Sequence, residues 1–170
     1  MYTWLGLYFA RTHGLGEVGI GLALLGYGVP GFLFGPVIGR AADRWGRRWL
    51  IPAGLGISAL GAGLLILETP LVVAALAVTI LSLGYDMTQP LLAGIVTTLG
   101  GQRMGQVMGL NVFTIFIGSG IGSFLFGETL RLGFPLALAI FASAELAAAI
   151  AAIPLFRSET PPVAKAATVR

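Results

Sequence analysis

Five stretches of this 170-residue sequence are apolar for long enough to cross a lipid bilayer, and no other feature restricts the fold as severely. They run from about Val18 to Ile38, Trp49 to Leu67, Leu71 to Thr98, Gly105 to Gly127 and Phe134 to Phe156. A hydrocarbon core of ~30 Å needs about 20 such residues at ~1.5 Å rise each. The rest of the chain cannot clothe that much apolar surface in water: charged residues make up 10 %, against roughly 25 % in a soluble domain. A soluble enzyme domain is thereby excluded. The 26 glycines lie within apolar runs rather than polar tracts, which excludes disorder too. The expected fold is an all-α membrane protein, a polytopic helical bundle. Residues Met1 to Ala10 are apolar but reach only ~15 Å as a helix. No basic segment precedes them and no small-residue cleavage site follows, so they read as the end of a spanning helix that begins outside this sequence.

Charge placement orients the bundle. Arg40, Arg44, Arg47 and Arg48 in the second connector, Arg103 in the fourth, and Arg157, Lys165 and Arg170 in the tail 157–170 fall on one side. The other side has only Arg11 and Arg131, with Glu17, Glu68 and Glu128. The positive-inside rule puts the arginine-rich connector and the tail in the cytoplasm, with the chain embedded in the plasma (inner) membrane. No basic patch interleaved with aromatics suggests nucleic acid. Thr69 and Pro70 read as N-cap and first residue of the fourth span, Pro52 as part of the first turn of the third, and Pro30 and Pro90 as interior kinks. Gly28, Gly31, Gly35 and Gly39 share one helical face, as do Gly109, Gly118 and Gly122 in the fifth span. Such faces admit close helix packing in lipid, here against one another or against a further partner.

Between the second and third spans stands GRAADRWGRRWL, Gly39 to Leu50. It resembles the signature loop of the major facilitator superfamily, GxLxDRxGRR, with Gly39, Asp43, Arg44, Gly46, Arg47 and Arg48 in register and Ala41 at the usual leucine. The resemblance implies a twelve-span transporter of two six-helix halves, of which this chain covers one half with five full spans and one partial span. It also implies that the six matched residues form a conformational latch holding the cytoplasmic side closed. Three features suit the C-terminal half. The fourth span has no intramembrane arginine, the tail RSETPPVAKAATVR is short, and the fifth span follows the glycine spacing of the antiporter motif with Ser123 in place of its proline. Partners implied are membrane lipid, the missing six-helix half and a small-molecule substrate.

Asp86 lies near the middle of the fourth span, where an ionised carboxylate costs ~2.5 to 3.5 kcal/mol and must face protein or water. Thr79, Ser82, Asp86, Gln89 and Thr97 form one polar stripe, expected to line a wet cavity. Asn111 and Thr114 of the fifth span either line the same pathway or hydrogen-bond between helices. Asp86 could carry a proton, bind a cationic group, or be a structural acid. With Tyr27, Tyr85 and Phe113 it suits a cationic or amphipathic compound, hence the expectation of proton-coupled efflux. Glu145 sits mid-helix in the last span on a face with Ala142, Ala149 and Ala152.

No enzymatic activity and no cofactor or metal is expected. Cysteine is absent, there is no HExxH or phosphate-binding glycine loop, and Ser119 is far from the lone His13. The alternatives to a transporter fragment are a self-associating half-transporter and a non-transporting membrane interaction protein.

Overall fold

A computed structural model describes residues 2–160, and among them every regular element is a helix. The elements are α1 (Tyr2–His13), α2 (Glu17–Leu24), α3 (Val29–Trp45), α4 (Arg47–Leu64), α5 (Leu71–Gly100), α6 (Met104–Thr129) and α7 (Phe134–Leu155). Short 3-10 turns at Leu65–Leu67, Gly101–Arg103 and Leu130–Leu132 extend or join them. Four helical stretches are long and apolar enough to cross a membrane: Glu17–Trp45, Arg47–Leu67, Leu71–Leu132 and Phe134–Leu155. The third of these holds both α5 and α6, which part at Gly101, where φ is +48°. Lys165 and Arg170 lie outside the described residues.

Short connectors make α3 to α7 run alternately up and down. The C-terminal ends of α3, α5 and α7 therefore meet the N-terminal ends of α4 and α6, and Arg40, Arg44, Arg47, Arg48, Arg103 and Arg157 gather at one end of the bundle. Helix α5 is central: it packs on α4, α3, α2 and α6, while α7 packs chiefly on α4. Two apolar clusters bracket the bundle. Leu5, Tyr8 and Phe9 of α1 join Leu65, Val78, Phe126 and Leu138 at one end, and Ile38, Ala42, Leu50, Ile51, Leu91 and Ala152 join at the arginine end.

Between the clusters, α4 and α5 approach almost backbone to backbone. A methyl group at Gly84 would overlap the Gly54 carbonyl and the Ser58 hydroxyl, and one at Gly61 would come within 2.8 Å of the Ala77 carbonyl. Ser58 Oγ donates to the Leu81 carbonyl at 3.1 Å across this seam. Side chains this small let dispersion and a weak interhelical hydrogen bond act where lipid supplies no hydrophobic drive.

Several sequence expectations need correction. The run 18–38 is two helices, not one. Leu25 to Gly28 form turns, and Pro30 stands in the first turn of α3 rather than kinking a continuous span. Two glycines and a proline within five residues weaken the helix there, because glycine is costly in a helix and proline disfavours the α conformation in the residue before it. Helix α3 also runs on to Trp45, so the matched GRAADRWGRR segment is not a loop but two helix ends hinged at Gly46, whose φ of +85° and ψ of +150° exclude most side chains. Helix α4 starts at Arg47, which moves Pro52 beyond the first turn. Pro70 itself occupies the N-cap of α5, and Thr69 Oγ1 is buried without a partner.

Of the two outcomes expected for the glycine faces, packing against one another does not occur. Nothing lies within 4 Å of the position a Cβ would take at Gly28, Gly35, Gly39, Gly109, Gly118 or Gly122, so these residues do not pack against one another. Of the two stripes only Gly31 is filled, by Asp86.

Candidate transport pathway and latch

The break between α2 and α3 sits directly over the polar face of α5. Ser82, 1 % exposed, has its Oγ 3.0 Å from the Tyr27 carbonyl and 3.2 Å from Asp86 Oδ2. The chain turns at this point rather than continuing as helix, and carbonyls at a helix end can accept bonds of this kind. One turn further along α5, the Asp86 carboxylate lies against Gly31, whose missing side chain leaves it room: a Cβ there would stand 2.8 to 2.9 Å from Asp86 Cγ and both oxygens. Gly31 is in the first turn of α3, where unpaired backbone N–H groups and the helix dipole favour a negative charge. One turn earlier, a methyl on Gly26 would overlap the Thr79 hydroxyl, which donates to the Ala75 carbonyl at 3.0 Å.

Three members of the stripe, Thr79, Ser82 and Asp86, are therefore brought together by the α2–α3 break and partly covered by it. Gln89 and Thr97 continue the face toward the arginine end, half-buried. Gln89 makes no hydrogen bond among the described residues, and Thr97 bonds back to the Gly94 carbonyl at 2.9 Å. Asn111 lies half-buried on α6, while Thr114 folds back to the Leu110 carbonyl at 2.9 Å. Tyr85 is exposed, as is Phe113 on α6. The participation of Gly26, Gly31 and the Tyr27 carbonyl was missed in the sequence. The signal for it was present in the glycine-proline cluster, read as a packing stripe with an interior kink.

At the arginine end, Arg47 reaches across α5, its guanidinium 3.1 Å from where a Cβ of Gly94 would be. It pairs with Glu159 at 3.6 Å. The main-chain carbonyl of Glu159 also accepts the Arg48 N–H at 3.1 Å. Helix α4 opens with two arginines and no side-chain cap, an unfavourable charge for a helix N-terminus. Glu159 supplies both the missing acceptor and the missing negative charge. Nothing in the sequence reading singled it out, although it is the only acid of the tail. Asp43, by contrast, is exposed in the last turn of α3 and makes no ion pair among the described residues. Arg44 is exposed beside it with its guanidinium 6.0 Å from the Trp45 ring, and Arg40 Nε donates to the Pro36 carbonyl at 3.2 Å. Gly39 has open space around it. Six matched residues thus occupy one end of the bundle, but among the described residues only Arg47 and Arg48 are tied to a distant part of the chain, with Gly46 as the hinge beside them.

Ser123 receives the Trp4 indole: Nε1 lies 3.0 Å from its carbonyl and 3.2 Å from its hydroxyl. Gly127, one turn on, makes room for the same ring. Glu145 faces inward on α7 with Ala149 and Ala152 buried on its side, and its Oε2 is enclosed without a hydrogen-bond partner. No group of three or more metal-ligating side chains occurs among the described residues.

Comparison with known families gives a match to one described as Major Facilitator Superfamily, over residues 1–170. No curated protein and no solved structure matches the chain at a significant level.

Proposed function

Since the chain belongs to the major facilitator superfamily, and is therefore an integral, multi-pass protein of a membrane transporter family, we propose that it forms one wall of an alternating-access pathway for a small solute, and that Asp86 is the group through which transport is coupled. One observation carries this reading: a carboxylate held between a serine hydroxyl and the first turn of a helix that breaks at the same depth. Broken helices are tolerated at membrane depth where they line a cavity or bind an ion, and their exposed termini recur in secondary transporters. Ser82, Thr79, Gln89 and Asn111 extend the pathway along α5 and α6.

The second wall is a further six-helix unit. Phe32, Leu33, Phe34 and Val37 on α3, and Val112, Phe113, Phe116 and Ile117 on α6, are exposed on the two helices that flank α5. The open glycines lie on these same helices. In the complete assembly Asp43 finds its partner on that unit, which makes the matched segment a latch between walls. The arginine end faces the cytoplasm of a plasma (inner) membrane, and this half is the C-terminal one. A cationic or amphipathic compound exported against protons fits Asp86, the one acid of α5, and the absence of basic residues between Leu71 and Gln102 and between Met104 and Leu130.

The test is transport of a cationic dye under an imposed pH gradient by proteoliposomes carrying the complete assembly, this chain together with the six-helix unit that forms the second wall. Asp86→Asn is expected to abolish acceleration by the gradient while leaving membrane insertion intact. Undiminished coupling in that variant removes the proposal.

A further inference from the structure

The outer groove between α4 and α7, on the side away from the α5 polar face, has two chemically distinct sections. At the arginine end is a cavity of about 390 Å³ lined by Arg48, Trp49, Ile153 and Arg157. Further along the same two helices lies a second cavity of about 610 Å³, walled by apolar and small residues including Gly56, Leu60 and Gly63 of α4 and Ala142 and Leu146 of α7. At ~1.5 Å per residue the second section begins about 10 Å from Trp49 and passes the ~15 Å depth of one leaflet. A strongly basic head and a deep apolar trough, in line and at this spacing, match the shape of a phospholipid.

The charge balance asks for an anion at the head. The Arg48 guanidinium is 5.5 Å from the Trp49 ring, and its Nε is buried with no hydrogen-bond partner. The acid nearest Arg157 in sequence, Glu159, is already engaged by Arg47 at 3.6 Å, and Asp43, the acid nearest Arg48 in sequence, is exposed at the end of α3. Among the described residues this end carries six arginines against only Asp43 and Glu159, and residues 161–170 contain no acidic side chain. Guanidinium groups recognise phosphate oxygens through paired N–H donors. Trp49 is the residue type that anchors at the headgroup level. Exposed Leu60, Leu146 and Ile153 give an acyl chain its contact surface.

We infer that the α4–α7 groove is a binding site for an anionic phospholipid, its phosphate held by Arg48 and Arg157 beside Trp49 and one acyl chain laid along Leu60 and Leu146. A free phosphate shares the headgroup chemistry but has no use for the trough, so lipid is the ligand assigned.

The test is lipid retention by the purified, delipidated full chain in detergent, read by native mass spectrometry after incubation with phosphatidylglycerol or phosphatidylcholine of identical acyl chains. Preferential retention of phosphatidylglycerol is expected, falling roughly tenfold or more in Arg48→Gln/Arg157→Gln. Arg40→Gln/Arg131→Gln removes equal charge elsewhere and is expected to change nothing. Arg48→Lys/Arg157→Lys keeps the charge and is expected to keep most of the lipid. Equal retention of the two lipids, an unaltered adduct in the glutamine pair, or a loss in the lysine pair as large as in the glutamine pair overturns the assignment. Displacement of phosphatidylglycerol by millimolar inorganic phosphate would identify a soluble anion as the ligand and overturn it too.

Discussion

Gly84 shows how much a single missing side chain can decide. Its Cα faces the Gly54 carbonyl and Ser58 so closely that α4 and α5 cannot keep their spacing with even a methyl in between. Gly84→Ala is expected to destabilise the bundle by about 1 to 3 kcal/mol, the usual cost of overpacking a filled interior. Gly118→Ala, where nothing lies within 4 Å, is expected to leave this chain's stability unchanged or slightly raised through helix propensity. Unfolding of the two variants in detergent, followed by helix signal, measures the contrast; equal losses would show that the seam is not where the packing is tight. The same residue scale explains why Asp86 is tolerated in an apolar helix. It shares the single Ser82 hydroxyl proton with the Tyr27 carbonyl, it has the first turn of α3 as a dipole, and Gly31 gives it space.

Among the elements, the pair α2 and α3 carries the most consequence, because their discontinuity supplies both the Tyr27 carbonyl for Ser82 and the helix start for Asp86. Removing the causes of the break should rejoin them. Gly28→Ala/Pro30→Ala is expected to raise helix content and thermal stability modestly, by up to about 1 kcal/mol in helix terms for the glycine, while reducing transport severalfold as the site loses its helix terminus. Dichroism and the dye assay check the two halves of this expectation; a double variant with undiminished transport would detach the break from function. Helix α4 makes the complementary point. Its N-terminus, unfavourable by its own charges, is held by an acid from beyond α7, so the two ends of the helical chain from α4 to α7 are tied at one point.

For the whole molecule, the concentration of arginines at one end is what the proposed orientation rests on, and the exposed apolar faces of α3 and α6 are what the proposed second wall would cover. The absence of cysteine makes orientation directly measurable, since any introduced thiol is the sole target. Trp45→Cys and Glu68→Cys, both at exposed positions near opposite ends of α4, are expected to react with an impermeant reagent from the cytoplasmic and the external side respectively. The reverse pattern would invert the bundle and with it the assignment of the latch.

Apolar run length determined that this chain is a helical membrane protein, since a bilayer admits few other ways to bury so many consecutive apolar residues. The spacing of glycine, aspartate and arginine in Gly39 to Arg48 determined the family. Both signals are local, carried by residues close together in the chain. What lay beyond them is contact between residues far apart. Helix periodicity placed Thr79, Ser82 and Asp86 on one face but could not say that Tyr27 and Gly31 cover it. Glycine spacing marked faces fit for close packing but not which face is used, and the seam formed at Gly54, Gly61 and Gly84 instead. Glu159 looked like one residue of a polar tail until α7 brought it to the start of α4. Small residues and lone charges permit many partners; only the folded bundle, by fixing which helices are neighbours, selects one.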